Sequence, residues 1–253
     1  MNDKEIKDIN LIDDIDKCEQ ELKIFKEELV ALRYAISHDL RAPIKTINSY
    51  LELVFEDFNN QLPAGAVDYL NKVKNAGSNL DNMVEGLLLL TKIYHMEFSP
   101  TTVYINDIVS QNVAQLRAKY PDNTIRISVE PDMEVIGDED LIYLAYQKLL
   151  ENAWKFSSAK PHAHIDIGMV KKEGEQTEFF VKDNGVGFDM KHADKLFIPF
   201  QRRHSSNQLE GNGIGLASVL RIIKRHGGKI WVESALNKGA KFYFTFGGHL
   251  TNQ

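Results

Sequence analysis

Residues 178–189, EFFVKDNGVGFD, decide the fold of the second half of the chain. Apolar and polar side chains alternate over 178–181, which predicts a β-strand with one buried face. Asp183 then lies at the end of the strand, and Gly185 and Gly187 form the turn that follows. A carboxylate here can accept a hydrogen bond from the exocyclic amine of adenine, and glycines let the backbone approach the ring closely. Taken alone, an ordinary hairpin turn explains the pattern more often.

On the N-terminal side of this strand, residues 138–157 have the pattern of a helix that begins with an acidic cluster and ends in ENAWKFS. Asn152, near its end, offers an amide oxygen to a hard cation such as Mg²⁺. Lys155 lies about one turn further on and can reach a phosphate. For Asn152 alone, an ordinary polar residue near a helix end is an equally good explanation.

On the C-terminal side, GNGIGL at 211–216 precedes a helix predicted from Gly215 to His226. Backbone N–H groups at a glycine-rich helix N-terminus bind phosphate oxygens, which makes Gly211, Gly213 and Gly215 candidate binding residues. The segment is not a Walker loop, because no Lys-Ser or Lys-Thr follows it. Nor does it directly follow a strand, as a Rossmann fingerprint requires. A loop without a ligand remains the alternative.

The intervening residues 196–210 begin with LFIPF, whose aromatic and proline side chains can anchor a loop against the core. Polar residues follow, and we expect them to form a mobile lid over a nucleotide. Arg202, Arg203 or His204 can touch phosphate groups from such a lid. A solvated basic run explains these three residues equally well.

The remainder of the C-terminal half also alternates between helices and strands. A helix is predicted at 105–120, and strands are predicted at 124–129, 134–137, 164–167, 229–234 and 240–246. Helices packed against a mixed sheet put this half of the chain in the α+β class.

The N-terminal half has the apolar spacing of a coiled coil. Its seam recurs at alternating steps of four and three, through Leu11, Ile15, Cys18, Leu22, Phe25, Leu29, Leu32 and Ile36. After two steps of four it continues through Leu40, Ile44, Ile47, Leu51, Val54 and Phe58, and Pro43 should bend the helix. A turn at 59–65 precedes a second helix that ends near His95. Such a hairpin buries its stripe best against a copy of itself, which predicts a dimeric four-helix bundle.

His38 lies in the segment SHDLRAP at 37–43, beside the interruption of the seam. It follows seam residue Ile36 by two positions, which turns its side chain away from the bundle axis. A neutral imidazole near pH 7 is a competent nucleophile. Asp39 can orient the ring or take its proton. A solvated histidine on a coiled coil is the more frequent explanation of such a pair by itself.

The bulk composition fits a globular protein of one or two domains. The 253 residues are 43% hydrophobic and 26% charged. No apolar run is long enough to cross a bilayer, and the start lacks a secretory signal. The one cysteine, Cys18, excludes an internal disulfide framework. A net charge of −6 argues weakly against a nucleic-acid partner. The cytoplasm is the simplest location.

Five motifs resemble, in order, the H, N, first G, F and second G boxes of the two-component sensor histidine kinases. They are HDLRAP, LLENAWKFS, DNGVGFD, LFIPFQRRH and GNGIGLA. The closing segment RIIKRHGGKIWVESALNKGAKFYFTF is most similar to the phytochrome-related branch, and the resemblance covers residues 29–246. It implies an α+β chain. A coiled-coil helical hairpin, forming a dimeric four-helix bundle, would precede an α/β sandwich of the Bergerat (GHKL) type that binds ATP.

The resemblance also implies a domain order and an activity. A signalling coiled coil would occupy 1–30, a dimerisation and histidine phosphotransfer domain 31–98, and an ATP-binding catalytic domain 99–253. The expected reaction is autophosphorylation from Mg-ATP, followed by transfer to an aspartate on the receiver domain of a response regulator. The implied partners are a second copy, that regulator, and an upstream sensory domain or protein not present in this chain.

The roles implied by the resemblance attach to residues of the motifs. His38 would accept the phosphoryl group, with Asp39 as the adjacent acid or base. Asn152 would bind Mg²⁺, Lys155 would lie near the phosphates, and Asp183 would recognise adenine. The nucleotide site would also include Gly185, Gly187, Arg203, Gly211, Gly213 and Gly215.

Two residues depart from the family pattern. Many relatives carry Asn one turn before the metal-binding Asn, and here that position is Lys148. This cation can pair with phosphate, but it removes a neutral oxygen ligand for Mg²⁺. Relatives that dephosphorylate their partner usually have Thr or Asn four residues after the phospho-acceptor, and this chain has Ala42 there. We therefore expect weak or absent phosphatase activity.

Other functions fit parts of the sequence. A degenerate kinase, acting as a dimeric scaffold or phosphotransfer protein with weak ATP binding, is favoured by Lys148. The intact Asn152, Asp183 and glycine loops oppose it. An ATPase of the gyrase or Hsp90 type would need a catalytic Glu at position 148. A pure coiled-coil interaction module leaves the second half of the chain unexplained.

Overall fold

The chain divides into two compact units, Met1–Thr91 and Lys92–Gln253. The computed structural model describes residues 3–58, 61–171, 174, 176–200 and 213–247. Among these residues, no helix is both long enough and apolar enough to span a membrane.

Two long helices make up the first unit, as the seam pattern predicts. Helix α1 (Asp3–Phe58) continues through Pro43, and helix α2 (Ala64–His95) begins directly after Pro63. The Pro63 carbonyl accepts a hydrogen bond from the N–H of Ala66 at 2.8 Å, which closes the first turn of α2. A proline is well placed at this point because its missing N–H would have no partner inside the helix.

The two helices of the first unit pack antiparallel. Arg41 Nε lies 4.0 Å from Asp81 Oδ1, and further along the pair Asn48 meets Gly77. A Cβ atom at Gly77 would lie 2.3 Å from Asn48 Oδ1, so the glycine permits the close approach of the helices.

The predicted seam of α1 is only partly buried. Ile44 and Leu51 are buried, whereas Leu40, Ile47 and Phe58 are 43%, 49% and 47% exposed. Besides Ile24 and Phe25, eight of the described large apolar side chains of the first unit are exposed. We call these eight the exposed apolar stripe: Leu40, Ile47, Tyr50, Leu53 and Phe58 on α1 and Tyr69, Val73 and Leu80 on α2. A single chain therefore buries only part of the apolar surface of its hairpin.

The second unit contains seven strands, three α-helices and one 3₁₀ helix among its described residues. In chain order they are β1 (Thr101–Tyr104), α3 (Ile105–Lys119), β2 (Arg126–Val129), β3 (Glu134–Gly137), α4 (Glu139–Ser157), β4 (His164–Val170), β5 (Glu178–Asp183), the 3₁₀ helix (Met190–Phe197), α5 (Gly215–Arg225), β6 (Ile230–Ala235) and β7 (Gly239–Thr245).

Five of the strands form one mixed sheet in the order β2-β4-β5-β7-β6. Strand β2 is parallel to β4, and the other neighbours are antiparallel. Strands β1 and β3 pair separately. Helix α4 packs on β4, β5 and β7 and contacts α3 and α5. Helices against a mixed sheet confirm the predicted α+β architecture.

The core of the second unit lies between α4 and the sheet. Tyr146 of α4 and Phe244 of β7 are both fully buried, and their rings meet edge to face at 5.5 Å. The alternation along β5 directs Phe179 and Val181 into the same layer. Asp183 follows in this alternation and is only 5% exposed, so the strand brings one carboxylate into an apolar layer.

The end of α2 and the residues after it belong to the second unit, where the end of α5 holds them. The Arg225 guanidinium donates to the backbone oxygens of Ile93 and Met96, the latter at 2.7 Å. Beside it, the rings of Phe98 and His226 meet edge to face at 4.8 Å. A cation at the last carbonyls of a helix also compensates the negative end of the helix dipole.

His226 connects this end of α5 to the start of α4. Its Nε2 accepts a hydrogen bond from the N–H of Asp138 at 3.0 Å, and its Nδ1 lies 2.8 Å from the Ile222 carbonyl oxygen. Asp138 in turn accepts from the N–H groups of Leu141 and Ser99, both at 3.0 Å, and so caps α4. Burial lowers the pKa of His226, in keeping with the neutral ring that this geometry needs.

The structure contains every helix and strand predicted for the second half, with small changes at their ends. It adds β1 and the 3₁₀ helix, which the sequence did not predict. Strand β1 has four residues and pairs with β3, about 30 positions later, so its own pattern is too short to identify it.

Candidate functional site

A buried carboxylate lies at the end of β5. Asp183 Oδ1 accepts a hydrogen bond from the N–H of Gly185 at 2.8 Å. Burial raises the pKa of Asp183 to about 6, although hydrogen bonds from the backbone at Gly185 and Ala240 act in the opposite direction. The carboxylate is therefore costly to keep charged, and it can accept a further hydrogen bond from a ligand.

The turn after Asp183 is packed so tightly that two positions require glycine. A Cβ atom at Gly185 would lie 2.3 Å from the carbonyl oxygen of Phe156, at the end of α4. Gly187 has a φ of 58°, and a Cβ there would lie 2.0 Å from the Ala235 carbonyl oxygen. The turn is thus pressed against α4 on one side and β6 on the other.

Asn184 holds the same turn on the side of β4. Its Nδ2 donates to the His162 carbonyl oxygen at 2.7 Å, and its Oδ1 accepts from the N–H of His164 at 2.9 Å. Its own N–H donates to the His164 carbonyl oxygen at 3.2 Å. The sequence reasoning missed this residue, and its only signal was an Asn placed directly after a strand, where Asn often bonds nearby backbone.

The last turns of α4 lie beside the first residue of α5. A Cβ atom at Gly215 would come within 3.9 Å of Asn152 Nδ2 and within 3.8 Å of Lys148 Cβ. Lys148 Nζ forms an ion pair with Glu151 Oε2 at 2.9 Å. Lys155 Nζ lies 5.0 Å from the centre of the Phe156 ring. The structure therefore brings Asn152 and Gly215 together, with two lysines on the same helical segment.

Helix α5 begins here with features that favour an anion. Its preceding residue, Ile214, has an apolar side chain that cannot accept a hydrogen bond, and its first turn contains no acidic residue. The N–H groups and the positive end of the dipole at a helix start attract negative charge. Just before it, the Gly213 carbonyl oxygen accepts a hydrogen bond from the N–H of Phe200 at 3.1 Å, which joins the described residues on either side of 201–212.

The remaining predicted site residues lie elsewhere or outside the described residues. His38 and Asp39 lie in α1, in the first unit, where the Asp39 side chain is exposed. Arg203 and Gly211 fall in 201–212, outside the described residues, as does the predicted lid at 205–210. The structure thus groups the predicted adenine, metal and glycine residues of the second unit, namely Asn152, Lys155, Asp183, Gly185, Gly187, Gly213 and Gly215.

The donor set suits a metal that arrives with a nucleotide. In the described part of the chain, no group of three or more His, Cys, Asp or Glu side chains could hold an ion. Asn152 has one amide oxygen, and its Nδ2 lies beside the start of α5. Mg²⁺ commonly takes one or two protein ligands plus phosphate oxygens and water. The residues present therefore fit a Mg²⁺ ion held mainly by phosphates, with Asn152 as its protein ligand.

Two family models match the chain. The "His Kinase A (phospho-acceptor) domain" matches residues 32–95, and the "Histidine kinase-, DNA gyrase B-, and HSP90-like ATPase" matches residues 137–248. Both predicted halves of the molecule are therefore matched, each by a model of the corresponding type.

Curated relatives extend over most of the chain. Cyanobacterial phytochrome A from Nostoc sp. is 30% identical over 92% of this chain and 30% of its own length. The methanogenesis regulatory histidine kinase FilI from Methanothrix harundinacea is 32% identical over 89% of this chain and 25% of its own length. The chain thus spans less than a third of the length of these two relatives.

Solved structures share the fold. Full-length ShkA in complex with AMPPNP superposes with a TM-score of 0.59 at 23% identity, over 85% of this chain and 45% of that one. The histidine kinase AdeS from Acinetobacter baumannii gives 0.58 at 20% identity, over 84% of this chain and 98% of that one. At these identities the likeness establishes the architecture and nothing finer.

Proposed function

Because this chain belongs to the two-component sensor histidine kinases, we propose that it phosphorylates its own His38 from Mg-ATP. It then passes the phosphoryl group to an aspartate on the receiver domain of a response regulator. The observation that carries this proposal is the buried carboxylate of Asp183 at the end of β5, beside two positions that only glycine can occupy.

The free-energy cost of burying the charged Asp183 carboxylate supports its role in adenine binding. A carboxylate that is 5% exposed and has its pKa raised to about 6 destabilises the folded chain near neutral pH. A ligand that donates a hydrogen bond to it offsets that cost, and the exocyclic amine of adenine is such a donor. Gly185 and Gly187 let the turn pack directly against Phe156 and Ala235, and this packing fixes the position of Asp183 at the end of β5.

The phosphate side of the site would be supplied by α4 and α5. Asn152 would ligate Mg²⁺, and Lys155 and the N–H groups at Gly213 and Gly215 would bind phosphate oxygens. Arg203 and Gly211 would complete this set. When bound, Mg²⁺ would neutralise charge on the phosphate oxygens.

The chemical step would join His38 to the γ-phosphorus. An imidazole nitrogen forms the N–P bond in line with the P–O bond that breaks, and ADP leaves with the bonding electrons. Asp39 would orient the ring and take the proton from the other ring nitrogen as the imidazole becomes positively charged. Most of the acceleration would come from positioning and charge neutralisation, because little other covalent chemistry is needed.

The proposed organisation follows from the same assignment. Residues 1–30 would form a signalling coiled coil, 31–98 the dimerisation and phosphotransfer domain, and 99–253 the catalytic domain. The exposed apolar stripe on α1 and α2 supports pairing of two chains as a four-helix bundle. ATP is a cytoplasmic substrate, so we expect the reaction in the cytoplasm. Ala42 offers no polar group to position a water molecule, so we expect little phosphatase activity.

The test is incubation of the purified chain with γ-labelled ATP and Mg²⁺ beside the variants His38→Gln and Asp183→Asn. We expect acid-labile, base-stable label in the unaltered chain only, since phosphohistidine has this stability. Label on His38→Gln would show that another residue accepts the phosphoryl group. Nucleotide binding without label would favour the scaffold or phosphotransfer function instead.

A further inference from the structure

Lys148 lies where α4 meets the start of α5. Its Cβ and Cδ atoms would be 3.8 and 3.9 Å from a Cβ atom at Gly215, and Asn152 Nδ2 would be at 3.9 Å. Residues 148 and 152 are four positions apart and so lie on the same face of α4. Lys148 is therefore next to both the proposed metal ligand and the helix start that would bind phosphate.

The charge of Lys148 is poorly placed unless an anion is near. The start of α5 carries the positive end of a helix dipole, and its first turn contains no acidic residue. Lys148 adds a full positive charge beside it. In the structure, Glu151 supplies the opposing charge through an ion pair of 2.9 Å.

This ion pair is weak enough to be exchanged. The Lys148 and Glu151 side chains are 22% and 36% exposed, and pairs of this kind contribute little to stability. The lysine ammonium is a compact charge on a flexible stem, so it can turn to a new partner without movement of the helix. A triphosphate carries several negative charges and competes well with one carboxylate.

We propose that Lys148 is a phosphate-binding residue of the nucleotide site that exchanges Glu151 for the terminal phosphates when ATP binds. It takes over part of the charge neutralisation that Mg²⁺ would otherwise supply. ATP binding by this chain should therefore depend only weakly on Mg²⁺. The inference rests on the proposed function, since it assigns a role within the same nucleotide site.

The test measures dissociation constants of ATP and AMP by calorimetry on the full chain, with Mg²⁺ and with EDTA. For the unaltered chain we expect ATP affinity to fall less than about tenfold when Mg²⁺ is removed. Lys148→Met keeps the stem but loses the charge, and we expect it to weaken ATP binding in EDTA by about tenfold or more. Lys148→Arg should retain the affinity.

Two controls separate phosphate binding from a structural role. AMP lacks the terminal phosphates, so Lys148→Met should leave AMP affinity unchanged. Glu151→Gln removes the competing carboxylate and should strengthen ATP binding in EDTA, an effect opposite in sign to that of Lys148→Met. A loss of folding would weaken all ligands alike.

ATP affinity in EDTA that is the same for Lys148→Met and the unaltered chain would overturn the inference while leaving the proposed function intact. Absence of both ATP and AMP binding by the unaltered chain would instead contradict the proposed function, and the inference with it.

Discussion

The two units of the chain bury apolar side chains in different ways. Among the described side chains of the first unit, the buried apolar ones are Ile44, Leu51 and Val84, whereas eight large apolar side chains form its exposed stripe. In the second unit, α4 packs against sheet and helices, and Trp154, Tyr146, Phe179 and Phe244 are fully buried. The second unit is therefore stabilised by its own buried core, whereas the first unit leaves apolar side chains exposed that a further surface could bury.

The space around the glycines also differs between the two units. Gly65, in the first turn of α2, has no atom within 4 Å of where a Cβ would be, whereas Gly187 has one at 2.0 Å. Open helical geometry accepts substitution, but a turn pressed between strands and a helix does not.

The largest expected effect is that of Gly187→Ala. The new Cβ would meet the Ala235 carbonyl oxygen at a backbone conformation that disfavours side chains, so we expect a loss of at least about 3 kcal/mol of unfolding free energy. Both tryptophans, Trp154 and Trp231, lie in the second unit, so their fluorescence during urea titration reports its unfolding. Gly65→Ala is the comparison variant in the first unit; unfolding followed by circular dichroism should show a change of less than about 1 kcal/mol. An equal loss of unfolding free energy in the two variants would contradict the difference in packing between the two units.

A charge in the exposed apolar stripe should prevent pairing of chains. Ile47→Asp would bury a carboxylate in the proposed bundle, and we expect self-association to weaken by about 100-fold or more in sedimentation equilibrium. Leu236→Asp is the matched control, because Leu236 is 66% exposed in the second unit and lies outside that stripe. If both variants associate as the unaltered chain does, the hairpin stripe is not the interface.

Asp183→Asn should stabilise the second unit while weakening ATP binding. The native carboxyl has a pKa of about 6 against an ordinary value of 3.8, so the folded chain binds its proton more tightly than the unfolded chain does. Its contribution is fully favourable below the ordinary value, falls as pH rises towards 6, and is lost above it. We expect the amide to raise the unfolding free energy near neutral pH by about 1–3 kcal/mol.

The measurement for Asp183→Asn is unfolding by urea across pH, followed by tryptophan fluorescence. The stability difference between variant and unaltered chain should disappear at the acidic end of the range. A difference that is the same at every pH would show that titration of Asp183 is not its origin. Asp122→Asn, at an exposed position of the second unit, should change stability by less than about 0.5 kcal/mol.

The smallest expected effect concerns the surface of the first unit. Lys72 and Asp68 form an ion pair of 2.7 Å on α2, with side chains 67% and 65% exposed. Because water screens such a pair, Lys72→Ala should change the thermal unfolding of the hairpin, followed by circular dichroism, by less than about 0.5 kcal/mol. A larger loss would mean that surface charges, rather than an apolar interface, stabilise this unit.

Periodic segments could be predicted from the sequence, and contacts between distant segments could not. The seam predicted both long helices, and alternation predicted β5 and the position of Asp183 at its end. The seam did not reveal that Ile44 is buried while Ile47 is exposed. Its spacing is the same for residues that face α2 and for residues that would face a second chain. The bonds of Asn184 to residues near His164 depend on the pairing of β4 with β5, which no local pattern displays.

Lys148 illustrates the same limit at the candidate site. Its sequence position showed a departure from the family pattern, and helical spacing alone pairs it with Glu151, the acidic residue three positions further along α4. The packing of α4 against α5, which places the lysine stem beside Gly215, could not be predicted from the sequence.

The hydrogen bonds of Arg225 connect α5 to the backbone at Ile93 and Met96. This helix has 11 residues and so is about 16 Å long, with the candidate phosphate site at one end and the carbonyl groups of Ile93 and Met96 held at the other. A displacement of the end of α2 must therefore either carry α5 with it or break two hydrogen bonds from a charged group, at about 1.5–3 kcal/mol each.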